Sequence, residues 1–253
     1  MSATPFVDFR ALPASRALHW FAQGARLWRR APVILVLLGL APLLVEGLVQ
    51  LIPVVGFVLS KFVTPLFSLG LIIGLNALAR GGRLRASHLF AAFDKDRLPV
   101  AARLALWSML VPAFQCALAA LIYGPAAIDA VVFGHLLQHP ELMTLAFNFC
   151  LILPGVLLGT FLTLAPPLAL LAGVAPTQAI VLGIRRMLAA PLPFALLALA
   201  SVGIVSVLLA STWWSLLALL LLPFLHATGF AAWLDLSGND DILPTPPQAF
   251  ATE

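Results

Sequence analysis

The sequence predicts an all-α polytopic membrane protein, and three observations support this prediction. Hydrophobic residues make up 62% of the 253 positions and charged residues only 9%, whereas about 25% of the residues in a soluble domain are charged. Apolar runs of about 20 residues, enough to cross roughly 30 Å of hydrocarbon, recur along the chain. The polar stretches between these runs hold most of the arginines. We therefore expect six transmembrane helices and no separate soluble domain.

The N-terminal region predicts a disordered segment followed by an amphipathic helix. Residues 1–13 contain Pro5 and Pro13, which break helices. From residue 14 to residue 30, polar and apolar side chains fall on opposite helical faces. The apolar face carries Leu18, Phe21, Ala25 and Trp28. This pattern is typical of a helix lying in the membrane interface, with its arginines against anionic headgroups.

The apolar runs and their Gly, Pro and aromatic boundaries define the predicted transmembrane domain, residues 14–236. Its six spans cover about 32–52, 54–78, 104–123, 142–165, 192–209 and 213–234. We expect the fourth span to end where Pro166 and Pro167 interrupt it. Residues 177–190 are predicted to form a short helix on the inner surface, because a seventh span would place the adjacent arginines outside. Residues 237–253 are predicted to be disordered.

The basic residues orient this arrangement. The polar stretch from Arg80 to Arg103 holds six of the 14 Lys and Arg residues, and such residues are retained on the cytoplasmic side. With both termini inside, every basic residue except Lys61 lies on that side. The expected location is therefore the bacterial inner membrane, with multiple spans and cytoplasmic N- and C-termini.

The expected partner is a bilayer with anionic headgroups, and other membrane proteins are a second class of partner. The predicted headgroup contacts are Arg16, Arg26, Arg29, Arg30, Arg83 and Arg85. Nucleic acid is not expected, because the basic residues flank apolar runs. The sequence does not determine the oligomeric state.

Polar side chains inside the predicted spans are the candidate functional groups. They are Glu46, Lys61, Gln115, Asn148 and His226. Glu46 and Lys61 lie at the same depth on either side of the 53–56 turn, so we predict that they pair, as a structural clamp or as part of an ion path. His226 is interpreted as a neutral histidine that hydrogen-bonds to another helix, with a proton relay as the alternative. Gln115 and Asn148 are interpreted as interhelical hydrogen-bonding groups.

Two pairs of glycines with small-xxx-small spacing predict close helix packing, with an inverted-repeat transporter as the alternative interpretation. The pairs are Gly70 with Gly74 and Gly155 with Gly159. No catalytic motif is present, so an enzyme is not expected, and no cofactor is expected either. His135 and His139, beside Glu141, have a spacing that could bind a metal, but Pro140 interrupts any helix there, so no metal site is predicted.

Several motifs resemble a family of uncharacterised proteobacterial inner-membrane proteins. They are Trp20-Phe21-x-x-Gly24-x-x-Leu27 before Pro32, Pro53-x-x-Gly56, Pro65, Gly70, Gly81-Gly82, Leu89-Phe90, Phe93, Ala165-Pro166 and Ala175-Pro-Thr-Gln-Ala179. The resemblance covers most of residues 16–235. It implies a six-helix fold with both termini inside, and it implies no activity.

The sequence favours a non-enzymatic membrane protein that acts as a scaffold or assembly component. A carrier for a small or amphipathic substrate is the alternative. A carrier requires a cavity that reaches Glu46, Lys61, Gln115 or His226, so such a cavity distinguishes the two hypotheses.

Overall fold

The computed structural model describes residues 12–52, 54–210 and 212–238, with side chains described for all of these except 208–220. Its α-helices are α1 (Ser15–Arg30), α2 (Pro32–Val49), α3 (Val55–Ala79), α4 (Leu98–Ser108), α5 (Leu110–Tyr123), α6 (Pro125–Val132), α7 (Leu145–Leu162), α8 (Ala165–Leu170), α9 (Pro176–Ala189), α10 (Pro191–Ala210) and α11 (Thr212–Leu236). Short 3-10 segments lie at Ala86–Phe93, Leu136–Gln138 and Pro140–Leu142. The described residues contain no strand, so the fold is all-α. Most of the two segments predicted to be disordered, namely 1–11 and 239–253, lies outside the described residues.

The described helices are compatible with a multi-pass membrane protein. Four stretches are long and apolar enough to cross a membrane, and they are Pro32–Val49, Val55–Ala79, Leu98–Tyr123 and Leu145–Leu170. Helices α9 and α10 meet at a bend of 102° and add a fifth stretch if they form one broken span. The described apolar part of α11, Leu221–Leu236, is shorter than these stretches. Four helical stretches of the described residues, or five if the bent pair is one span, therefore have the length and hydropathy of a membrane span.

The third predicted span begins earlier than expected, at Leu98 rather than near residue 104. Pro99 lies in the first turn of α4, where the missing backbone N–H would have had no helical partner. The helical path is then interrupted at Met109, three residues before Pro112. A proline inside a helix removes one backbone hydrogen bond and crowds the preceding turn, which explains why α4 and α5 are separate helices.

The fourth predicted span does not end at Pro166 and Pro167, as the sequence suggested. Both prolines lie in the first turn of α8, where a missing amide costs no helical hydrogen bond. The helical path therefore continues to Leu170 after a short break at residues 163–164. At its other end, α7 begins at Leu145, because the Thr144 hydroxyl accepts a hydrogen bond from the Phe147 amide and caps the helix.

Helix α1 packs against the C-terminal half of α11 through a face that includes Trp20, Gly24 and Leu27. Trp20 is fully buried, whereas Leu18, which was assigned to the apolar face, is 68% exposed. Gly24 is also buried and lies against Thr228. A Cβ on Gly24 would come within 2.9 Å of the Thr228 backbone, so a residue with a side chain would force the two helices apart.

A buried carboxylate near the end of α11 helps to hold this face of α1 in place. Asp235 accepts a hydrogen bond from Trp20 Nε1 at 2.6 Å and one from Arg16 Nε at 2.6 Å. Its side chain is only 4% exposed. Arg16, predicted to contact lipid headgroups, therefore forms an ion pair inside the protein, because Asp235 would otherwise be buried without a counter-charge.

The loop between α3 and α4, residues 80–97, folds back onto α3 and is called the basic loop. A Cβ on Gly70 would lie 2.4 Å from the carbonyl oxygen of His88, so the missing side chain makes room for the 3-10 segment Ala86–Phe93. Gly74 makes room for Leu84 and His88 in the same way. The two glycines thus accommodate this loop segment, which corrects the prediction that they pack against another transmembrane helix.

Aromatic contacts hold the same segment in place. The Phe67 ring on α3 lies 5.7 Å from that of Phe90 and 5.2 Å from that of Phe93, centroid to centroid. Helix α1, the basic loop and α9 all pack at this end of the bundle. We call it the basic end. The opposite end carries α6 and the two short 3-10 segments that follow it.

Candidate functional site

A cavity of about 550 Å³ lies inside the helix bundle. Volumes of about 300–1,000 Å³ are typical of sites that bind small molecules. Residues from every described helix except α1 and α6 contribute to its walls. Lys61 and Ile72 both border it, so the cavity extends roughly 16 Å along α3 at 1.5 Å per residue.

The cavity wall is mostly hydrophobic, with a limited set of polar side chains. Those among the described residues are Glu46, Lys61, Thr64, Ser68, Ser108, Gln115, Thr160, Thr163, Ser201 and His226. Four of the five polar residues singled out from the sequence are in this set. They lie on four different helices, so the fold brings together groups that are up to 180 positions apart in the chain. An apolar cavity with a few convergent polar groups is the usual form of a small-molecule site.

The ion pair predicted between Glu46 and Lys61 is present and borders the cavity. Lys61 Nζ donates to Glu46 Oε1, and Gln50 Nε2 donates to the same oxygen at 3.0 Å. The ammonium group also lies 5.6 Å from the centroid of the Phe57 ring, within the range of a cation–π interaction. The side chains of Glu46 and Lys61 are 19% and 28% exposed. The two charges therefore neutralise each other in a largely desolvated position.

Gln115 joins two helices at the cavity wall. Its Nε2 donates to the carbonyl oxygen of Leu151 on α7. A Cβ on Gly155 would lie 2.3 Å from this Nε2 atom, so Gly155 makes room for the glutamine side chain. The predicted interhelical role of Gln115 and the predicted packing role of Gly155 thus belong to one contact between α5 and α7.

His226 lies against the cavity and not in a packed interface. Its side chain is exposed because it borders the cavity, and its Nδ1 lies 3.1 Å from the carbonyl oxygen of Leu222 in the same helix. This differs from the predicted hydrogen bond to another helix. A carbonyl oxygen can only accept, so Nδ1 carries the proton in the neutral ring and Nε2 presents a lone pair.

Hydroxyl groups on the cavity wall are the functional side chains that sequence reasoning did not single out. Each hydroxyl of Ser68, Ser108, Thr160, Thr163 and Ser201 donates to a backbone carbonyl three or four residues earlier in its own helix. Thr64 Oγ1 has no hydrogen-bond partner within the described part of the chain. Ser and Thr are common in transmembrane helices, so their presence alone does not indicate a site. Their equal distances from the helix ends, described below, depend on ends at Leu98 and Leu170 that the sequence did not predict.

Two of the predicted residues have other positions. Asn148 lies on α7 and does not border the cavity. Gly159 does border it, and a Cβ at that position would meet no atom within 4 Å. The prediction that Gly159 packs against a neighbouring helix is therefore wrong, because the space beside it is the cavity itself.

The remaining predicted headgroup arginines lie at the basic end. Helix α1 carries Arg26, Arg29 and Arg30, and the basic loop carries Arg83 and Arg85. Arg26, Arg29 and Arg85 are exposed, and Arg30 donates to the carbonyl oxygen of Leu78 at 3.3 Å. The surface of the basic end therefore presents several guanidinium groups to its surroundings.

A second polar cluster lies at the opposite end of the bundle. His139 Nε2 lies 2.8 Å from Asp129, and its Nδ1 lies 3.2 Å from Glu141. His135 Nδ1 lies 3.1 Å from Asp129. No group of three or more His, Cys, Asp or Glu side chains with the geometry of a metal site is found among the described residues. The cluster is thus a network of hydrogen bonds between histidines and carboxylates.

The titratable groups of this cluster should make the stability of the loop depend on pH. The hydrogen bond to Asp129 raises the pKa of His139 above its usual 6.5, and the histidines lower the pKa of Asp129. The contribution of His139 to loop stability is therefore present below pH 6.5 and lost as the pH rises through its raised pKa. That of Asp129 is lost as the pH falls through its lowered pKa.

We expect NMR titration of labelled histidines to show His139 titrating above 6.5, and Asp129→Asn to lower that midpoint. A His139 midpoint that this substitution leaves unchanged would contradict the assignment.

The site is thus a hydrophobic cavity that contains a neutralised ion pair, one amide, one imidazole and several hydroxyls. Comparison with known proteins adds no further constraint on what it binds. No protein-family model, no curated protein and no solved structure matches this chain.

Proposed function

We propose that the protein is a non-enzymatic inner-membrane carrier that binds a small amphipathic molecule in the cavity between its helices. The observation that supports this most directly is the convergence of Glu46, Lys61, Gln115 and His226 on one cavity of about 550 Å³. A scaffold acts through its outer surface and does not require such a cavity. A carrier does, because it must hold its substrate in a site between its helices while the substrate crosses the hydrophobic part of the membrane.

The proposed membrane arrangement has six spans, with both termini in the cytoplasm. Helices α2, α3, α4 with α5, α7 with α8, α10 and α11 would be these spans, and α9 would lie along the inner surface. All basic residues of the described part of the chain except Lys61 then belong to the basic end, which is the charge distribution expected of the cytoplasmic side. Helix α1 would lie at the same surface, with Leu18 toward lipid and its arginines toward anionic headgroups. The resemblance to proteobacterial inner-membrane proteins is part of this proposal.

Site-directed labelling tests the arrangement. After Cys116 and Cys150 are replaced by alanine, a single cysteine at Leu137, which is 85% exposed, is expected to react with a membrane-impermeant maleimide in intact spheroplasts. A single cysteine at Arg83 is expected to react only after the membrane is permeabilised. Reaction of the Leu137 cysteine only from the cytoplasmic side would contradict the proposed orientation.

A cavity-filling substitution tests the carrier function. Gly159→Phe adds an aromatic ring at the cavity wall. An added Cβ at this position would meet no atom within 4 Å, so the ring can enter the cavity. We expect protein purified in a mild detergent to release a bound small molecule on denaturation, as detected by mass spectrometry. In Gly159→Phe its amount should fall by about tenfold, which corresponds to roughly 1.4 kcal/mol of binding free energy.

The matched control is Gly203→Phe on α10. Gly203 is also a helical glycine at which an added Cβ would meet no atom within 4 Å, but it does not border the cavity. Its variant should retain the wild-type amount of bound molecule. Equal loss in both variants, or the absence of any bound molecule from the wild-type protein, would count against a carrier.

A further inference from the structure

We infer that the cavity holds an uncharged, largely apolar molecule whose head group donates hydrogen bonds, with a long-chain alcohol as the simplest member of that class. This inference rests on the proposed carrier function and specifies its substrate class. Three properties of the cavity wall support it: the common depth of five of its polar side chains, the use of the protons of those five in hydrogen bonds within their own helices, and the charge balance.

Five polar side chains lie at one depth in the cavity. They are Ser68 on α3, Ser108 on α4, Thr160 on α7, Ser201 on α10 and His226 on α11. Each is ten or eleven positions from the point where its helical path reaches the basic end, at residues 79, 98, 170, 191 and 236. At 1.5 Å per residue this is roughly 15 Å from that end for all five. We call these five residues the polar belt.

The polar belt presents acceptors, because its protons are already in use. The four hydroxyl groups donate to backbone carbonyls of their own helices over 2.7–3.2 Å. His226 donates its Nδ1 proton to Leu222. What remains on each side chain is an oxygen or nitrogen lone pair. A ligand head group that only accepts hydrogen bonds would find no donor in the polar belt, whereas an O–H or N–H group would find several acceptors.

Two prolines on the same wall add backbone acceptors. Pro65 and Pro112 border the cavity and have no N–H group. Each leaves the carbonyl four residues earlier, on Lys61 and Ser108, without its usual helical donor. In a hydrophobic environment an unpaired carbonyl is costly, so a donor from the ligand would stabilise the bound state.

The charge balance favours an uncharged ligand. Glu46 and Lys61 are the formally charged side chains among the described residues that border the cavity, and they pair with each other. An anionic head group would have no free cation opposite it, and a cationic head group would have no free carboxylate. Moving an unpaired charge into such a cavity is strongly unfavourable.

Quenching of Trp107 fluorescence tests the inference in the purified protein. Trp107 borders the cavity and is 42% exposed, and bromine atoms quench indole fluorescence on contact. The probes are bromododecanol, bromododecane, bromododecanoate and bromododecylammonium. The signal is the quenching of the wild-type protein minus that of Trp107→Phe. We expect bromododecanol to reach half-maximal quenching at about a tenfold lower concentration than the other three, a difference of roughly 1.4 kcal/mol.

Removing acceptors should remove this preference. The triple variant Ser68→Ala, Ser108→Ala, Ser201→Ala is expected to bind bromododecanol and bromododecane within about a factor of two of each other, since it removes three of the acceptors that the alcohol can use. Ser206→Ala is the matched control, because Ser206 makes the same bond to its own helix, at 2.7 Å to Val202, and does not border the cavity. It should keep the wild-type preference.

The outcomes separate the inference from the proposed function. If bromododecane or either charged probe quenches Trp107 as well as the alcohol does, and Gly159→Phe abolishes that quenching, the cavity binds ligands but the inferred substrate class is wrong. If no probe quenches Trp107, or if Gly159→Phe leaves the quenching by every probe unchanged, both the inference and the carrier function fail.

Discussion

Asp235→Ala is expected to lower the stability of the protein by about 3 kcal/mol, one of the largest single-residue effects in the molecule. The Asp235 side chain is 4% exposed and accepts hydrogen bonds from Trp20 and Arg16. Removing the carboxylate leaves the N–H of the fully buried Trp20 indole without an acceptor. The cost lies at the low end for a broken buried ion pair, because Arg16 is 37% exposed and can be hydrated. Thermal unfolding in detergent should show a midpoint lower by about 9 °C, at 2–4 °C per kcal/mol for this size.

The control for this prediction is Asp94→Ala. Asp94 pairs with Arg97 at 3.0 Å, but both side chains are exposed, at 62% and 44%. Exposed pairs contribute about 0.2–1 kcal/mol, so the midpoint of this variant should fall by no more than about 3 °C. If the two substitutions had equal effects, the Asp235 contacts would not hold α1 against α11 in solution.

Lys61→Met is expected to lower stability by about 2 kcal/mol, because it leaves the Glu46 carboxylate without its counter-charge in a desolvated position. The remaining exposure of the pair, 19% and 28% for the two side chains, reduces the effect below that of a fully buried pair. The bond from Gln50 to Glu46 remains and stabilises the carboxylate in part. The expected fall in the unfolding midpoint is about 5 °C.

The double variant Glu46→Gln, Lys61→Met decides whether charge pairing causes this effect. It removes both charges, keeps side chains of similar volume, and should recover most of the stability lost in Lys61→Met. A double variant that is less stable than Lys61→Met would show that the two residues act independently, which would contradict a clamp between α2 and α3.

Local features of this fold were accessible from the sequence. Helices α2, α3, α10 and α11 begin and end within three residues of the predicted boundaries, because apolar runs of a fixed length and flanking prolines specify them. The Glu46–Lys61 pair was also predictable, since a hairpin with a short turn places residues that are equally far from the turn at the same depth. Residue spacing along a rigid helix is enough for both inferences.

Contacts between distant parts of the chain were not accessible in this way. Trp20 and Asp235 are 215 positions apart, and nothing in the local pattern of α1 identifies its partner helix. The amphipathic pattern predicted an apolar face for α1 but did not indicate which side of the helix packs against the protein. Gly159 illustrates the same limit, because small-xxx-small spacing is equally compatible with a packed helix and with an open cavity. Helix packing determines which of these occurs, and that depends on all the helices around it.

The contact between α1 and α11 also constrains how the chain reaches its native state. Trp20 donates to Asp235 of α11 and packs against Phe194 of α10, and both of these helices follow α1 much later in the chain. During translation Trp20 emerges 215 residues before Asp235, so α1 stays undocked from this partner until α11 has been synthesised. A truncated nascent chain that ends before Asp235 would therefore expose the Trp20 indole, and its completion would be the event that locks the N-terminal helix in place.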